Sequence, residues 1–137
     1  MNQNNGAPAA EEKGKKILII EDDHNLQDAL NLKLSAKGWQ VIQAFNGQEG
    51  LQKLDAEDVS IVLLDIAMPI MNGFEMLKKL ADEHKLGKYK IIIISNSIYE
   101  PLQTPETKDL IKDLPYMIKS NYTLSQIVER VKTLAEK

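Results

Sequence analysis

Residues 59–77 read VSIVLLDIAMPIMNGFEML, and the order of residue types in that stretch decides the fold. The run from Val59 to Leu64 does not alternate between apolar and polar, so it suits a strand buried on both faces, as parallel strands are. Asp65 closes the run, Met68-Pro69 and Asn72-Gly73 bound a loop, and residues 73–84 bring Phe74, Leu77 and Leu80 to one helical face. Working outward, Ile17–Ile20 and Ile91–Ile94 are runs of the same kind, and Trp39–Ala44 and Tyr116–Ile118 are two shorter ones. Helical patterns separate them. Residues 25–36 place Leu26, Ala29, Leu30 and Leu34 together, with Gly38 as the C-terminal cap. Residues 47–54 pair Leu51 with Leu54. A short helix is expected from Thr104 as N-cap, with Pro105 at its first position, to about Asp113. The last helix begins at a Thr123/Gln126 capping box and buries Leu124, Ile127, Val128, Val131 and Leu134. Strand and helix thus alternate five times. Short right-handed connections make that an α/β fold, a doubly wound five-stranded parallel sheet of order 2-1-3-4-5. Its switch point lies between strands 1 and 3, so a ligand is expected at their carboxyl ends.

Composition narrows the function. The chain has 137 residues, 17 basic and 20 acidic, for a net charge of −3; this offers no general attraction to nucleic acid or anionic lipid. There is no cysteine and only two histidines, His24 and His84. Disulfide scaffolds, thiolate chemistry and histidine-built zinc sites are therefore excluded. The wholly aliphatic runs are far shorter than the roughly twenty residues of a membrane helix. The opening MNQNNGAPAAEEKGKK has no apolar secretory core, and a cytoplasmic protein is expected. Residues 1–14, rich in Asn, Ala, Gly and Glu, read as a disordered leader, and 15–137 as one domain.

The residues that end the strands are not a random set. Strand 1 runs into Glu21, Asp22 and Asp23, strand 3 into Asp65, strand 4 into Ser95 and strand 5 into Lys119. Each alone has an ordinary role: an Asp in a turn, an acidic run before a helix, a loop serine, a solvated lysine. Their coincidence at one sheet edge is what carries meaning. Two carboxylates about 4 Å apart at an effective dielectric near 20 repel by roughly 4 kcal/mol. A divalent cation relieves this, and an all-oxygen donor set favours Mg2+, or Mn2+, over zinc. Lys119 can pair with a phosphoryl oxygen, Ser95 can donate to another, and Asp65 is the carboxylate placed to be a nucleophile. The chemistry that fits is metal-assisted phosphoryl transfer onto Asp65.

The segments KKILIIEDDHNL, IVLLDIAMPIMNGFEML, IIIISNS and YMIKS carry a resemblance. From Lys15 onward the chain resembles the receiver domain of two-component response regulators, similar to the chemotaxis type, with a flavodoxin-like (βα)5 fold. The resemblance implies Asp65 as phosphoacceptor and Glu21, Asp22, Asp65 and the backbone carbonyl of Ala67 around Mg2+. It implies Ser95 as switch hydroxyl, Lys119 as phosphate-pairing lysine and Tyr116 as the aromatic that follows activation. Gly73 is expected to supply a conformation that a side chain would hinder, and Asp23 to cap helix 1. The implied partners are a sensor histidine kinase or phosphotransfer protein and a downstream protein target bound through helix 4, strand 5 and helix 5. No direct nucleic-acid or membrane partner is implied, and the state is monomer or phosphorylation-dependent dimer. The protein is expected to stand alone and to catalyse only its own phosphoryl transfer and autodephosphorylation, not to act as an enzyme on other substrates.

Four positions depart from the family pattern. Asn96 follows the switch hydroxyl where a small residue is usual. Ser120 stands where a cis proline is usual; a non-proline cis bond costs about 3 kcal/mol, so a trans peptide and a differently aimed lysine are expected. The segment 98–115 holds Pro101, Pro105 and Pro115, which predicts a short helix 4 after a long loop. Gly50 should weaken helix 2 by roughly 1 kcal/mol relative to Ala. Two other readings compete. A non-phosphorylated pseudo-receiver would keep the fold as an interaction module. An Asp-nucleophile phosphatase would want a second Asp where Ala67 stands.

Overall fold

The computed structural model describes residues 14–96 and 104–136. In chain order the elements are β1 (Lys16–Ile20), α1 (His24–Ala36), β2 (Gln40–Ala44), α2 (Gly47–Ala56), β3 (Ile61–Asp65), α3 (Gly73–Asp82), β4 (Lys90–Ser95), α4 (Pro105–Ile111), β5 (Tyr116–Ile118) and α5 (Leu124–Ala135). The five strands form one sheet in the order β2-β1-β3-β4-β5, every neighbouring pair parallel. The expected architecture and strand order are those observed.

Two cores lie on opposite faces of the sheet, because successive strand residues point to opposite sides. Leu18, Ile20, Val62, Leu64, Ile91 and Ile93 pack with Leu54, Phe74, Leu77 and Leu80 from α2 and α3. Ile17, Ile19, Ile61, Leu63, Ile92 and Ile94 pack with Leu30, Leu34, Ile127, Val128 and Val131 from α1 and α5. This explains why the strands read as unbroken aliphatic runs: neither parity faces water. Burying each such side chain contributes about 1.5–3 kcal/mol.

The helix ends follow their sequence signals. Asp23 accepts hydrogen bonds from the Asn25 and Leu26 amides and starts α1, as expected. Gly38, at φ +98°, closes the turn after α1 with its N–H on the Ser35 carbonyl. Thr123 and Gln126 form the predicted capping box of α5. Thr104 and Thr107 do the same for α4, with Pro105 at its start. Helix α4 has seven residues and ends two residues before the expected Asp113; most of the preceding segment lies outside the described residues, as does the predicted leader up to residue 13. Gly50 now has a reason. A Cβ there would come within 2.6 Å of Ile20 Cδ1 and 3.2 Å of Met76 Sδ, so the glycine lets α2 sit close on β1 and α3. Among the described residues no helix is long and apolar enough to cross a membrane.

Candidate functional site

The parallel register carries the chemistry-bearing residues to one edge. Ile20 pairs with Leu64, Asp65 with Ile94 and Ser95 with Ile118, so the residues that follow these strands emerge side by side. Glu21 extends β1 by one step, its N–H 3.0 Å from the Ala44 carbonyl. Its side chain is buried at 1% exposure and held at both oxygens. Oε2 accepts the Asp23 N–H at 3.0 Å, and Oε1 lies 2.6 Å from Lys119 Nζ. The same ammonium stands 3.6 Å from Asp65 Oδ1. Asp65 is itself buried, at 3% exposure. One carboxylate oxygen from each of Glu21, Asp22 and Asp65 lies within 4.8 Å of the others. Asp22 is the exposed member, and it lines an open cleft with Ala67, Met68, Pro69 and Asn72.

This crowding sets the protonation. Burial pushes the Asp65 carboxyl up to about 7, and the neighbouring Glu21 charge adds to that; Lys119 and the Ile66 N–H oppose it. Burial acts against the charge on Lys119, but the Glu21 hydrogen bond and the Asp65 charge outweigh it and hold the ammonium above its ordinary range. The site is a set of hard oxygen donors with too little positive charge. Such a set fits a divalent cation of the Mg2+ type.

The remaining expected residues fall near this centre. Ser95 is buried at the end of β4, one residue beyond Ile94, the register partner of Asp65. Tyr116 is half-buried at the start of β5 and packs toward the α2/α3 core. Lys119 opens a single turn of 3-10 helix, Lys119–Asn121. Among the described residues no peptide is cis, so the Lys119–Ser120 bond is trans, as expected. The lysine is nevertheless not re-aimed away from the acids, since its Nζ reaches both Glu21 and Asp65.

Gly73 corrects the conformational expectation. Its φ is not in the left-handed region, where Gly14 and Gly38 are found among the described glycines. The constraint is space: a Cβ would sit 2.5 Å from the Asp65 carbonyl oxygen and 3.0 Å from Ile66 Cα. Instead, the Gly73 N–H donates to the Ile66 carbonyl at 2.8 Å, docking the start of α3 on the residue that follows β3. Sequence reasoning also missed Gln27. It is wholly buried beneath the acidic turn, and the available signal was a polar residue on the helical face of Leu30 and Leu34.

A profile of the family described as "Response regulator receiver domain" matches residues 17–131. The chain belongs to that family. This receiver is 27% identical over 118 residues to the response regulator RR06 of Streptococcus pneumoniae, covering 86% of this chain and 52% of the relative. It is 34% identical over 79 residues to the transcriptional regulatory protein CrdR of Helicobacter pylori, covering 58% of this chain and 37% of the relative. The matched stretches thus span about half the length of such relatives or less. Among solved structures, the response regulator TrrA of Thermotoga maritima in complex with Mg(2+)-BeF has a TM-score of 0.70 at 28% identity, over 88% of this receiver and 98% of that chain. The CheY-like receiver domain protein of Methanospirillum hungatei has a TM-score of 0.73 at 26% identity, over 89% and 94%.

Proposed function

We propose that this receiver accepts a phosphoryl group on Asp65 in a Mg2+-dependent reaction and passes the signal to a protein partner. The observation that carries the reading is the position of Lys119, 2.6 Å from Glu21 and 3.6 Å from Asp65, in the same acidic cluster as Asp22. Membership of the receiver family supports it. Glu21, Asp22, Asp65 and the Ala67 carbonyl would hold the cation, which when bound neutralises charge on the transferring phosphoryl. One Asp65 oxygen attacks phosphorus as the donor's P–N bond, in a phosphohistidine, or P–O bond, in a small acyl phosphate, breaks. The product is an aspartyl phosphate. Lys119 and Ser95 would then bind phosphoryl oxygens and draw their loops inward. Tyr116, two residues before the strand position that pairs with Ser95, would follow, altering the face made by α4, β5 and α5. The phosphoryl would come from a histidine kinase or phosphotransfer protein. The catalysis would be confined to the chain's own phosphorylation and autodephosphorylation.

The test is intact mass after incubation with acetyl phosphate and Mg2+. The expected result is a single phosphoryl adduct, stable to acid and labile to base, absent in Asp65→Asn and absent when Mg2+ is chelated. A wild-type protein with no adduct and no Mg2+ affinity overturns the reading in favour of a pseudo-receiver.

A further inference from the structure

Helix α1 turns three residues fully inward, Gln27, Leu30 and Leu34, and Gln27 is the polar one. The two N–H groups of its Nε2 serve three main-chain carbonyls, one of them shared: Ala44 at 2.8 Å, Ile19 at 3.0 Å and Glu21 at 3.1 Å. Two of these belong to β1 and the residue just past it, and the third ends β2. Ala44 O also accepts the Glu21 N–H. One amide therefore pins the first residue beyond β1 to the end of its neighbouring strand. The arrangement sets those bonds against a cost. Among the described residues Gln27 Oε1 is buried with no hydrogen-bond partner, and a buried orphan acceptor is unfavourable. A methionine of similar length would fill the space and remove the orphan oxygen, at the expense of the bonds to the three carbonyls. What it could not supply is the pair of N–H donors.

We infer that Gln27 is a positioning residue for the cation and phosphoryl chemistry: it fixes the main chain from which Glu21 and Asp22 project. The inference rests on the Mg2+ reading above. Glu21 and Asp22 repel each other and Asp65, so the turn that carries them is pushed outward, and the Gln27 amide holds that turn to β2 from beneath. Outer residues that orient metal ligands typically change affinity by about 10–100-fold when removed.

The experiment measures the Mg2+ dissociation constant by titration calorimetry, alongside urea unfolding with and without Mg2+, for wild type, Gln27→Met and Leu34→Ala. Leu34→Ala damages the packing of the same helix away from those carbonyls. Gln27→Met should bind Mg2+ about tenfold more weakly, while Leu34→Ala lowers the urea midpoint and leaves Mg2+ affinity unchanged. Should Gln27→Met prove unfolded, the wild-type Gln27 side-chain amide resonances are followed during Mg2+ titration; they should move with the same midpoint as the Asp22 amide. Unchanged affinity in Gln27→Met, or Gln27 resonances that stay fixed, overturns the positioning role while wild-type Mg2+ binding leaves the proposed function standing. A wild type that binds no Mg2+ overturns both.

Discussion

Ile70 adopts φ +70° and is 76% exposed, a β-branched residue in left-handed backbone with almost nothing to bury. Such a conformation costs roughly 1–2 kcal/mol for a residue with a branched Cβ, and asparagine tolerates it better. Ile70→Asn should raise stability by about 1 kcal/mol, read as a higher urea midpoint with unchanged slope. Asp65 gives a second prediction at this scale. Its carboxyl sits at about 7 in the folded chain against an ordinary 3.8, so folding favours the protonated form. The associated stability is fully present below about pH 4, falls as pH rises from there to about 7, and is constant above, where both states are ionised. In chelator, melts taken from pH 4 to 8 should show that decline in wild type and not in Asp65→Asn. At pH 8 the variant should be the more stable of the two. A flat wild-type profile would contradict the burial argument.

At the scale of elements, β3 and α3 meet at Gly73, where a methyl group would press on the Asp65 carbonyl oxygen at 2.5 Å. A backbone atom cannot turn aside as a side chain can. Gly73→Ala should therefore lose roughly 1–3 kcal/mol, seen in urea melts, and, under the proposed function, should slow acetyl-phosphate labelling by moving Asp65. Gly50→Ala differs because its obstacle is the tip of Ile20. The elements themselves were largely legible in the sequence. Unbroken runs such as Ile91–Ile94 have one reading in a chain that alternates strand and helix, and Asp23 and Thr123 cap as their residue types require. Gly73 was legible as special but not in kind, since sequence carries no measure of how near two main chains approach. Gln27 was hidden for a related reason: its partners are carbonyls, which every residue has. The effect of Ser120 was also out of reach, because whether a lysine arrives after a trans bond depends on the turn that follows it.

For the whole molecule, the acidic edge is a site where charge is left under-compensated by protein alone. Binding a cation to the folded state and not to the unfolded one stabilises by RT ln(1 + [L]/Kd), about 2.7 kcal/mol at a hundredfold excess. Saturating Mg2+ should raise the thermal midpoint of wild type and have little effect on Asp65→Asn; equal midpoints with and without Mg2+ in the wild type would contradict the donor-set argument. The convergence of Glu21, Asp65 and Lys119 was predicted from strand ends and the switch-point rule, and that part of the site needed no coordinates. The ion pair between Glu21 and Lys119 also joins loops from strands that are not neighbours, since β3 and β4 lie between β1 and β5. One end of that clasp is synthesised early and the other late. While a growing chain still has β5 inside the ribosome, its acids lack the ammonium that completes their nest. Under the proposed chemistry, such a chain holds the nucleophile and the cation ligands but not yet the lysine that pairs with the phosphoryl oxygens.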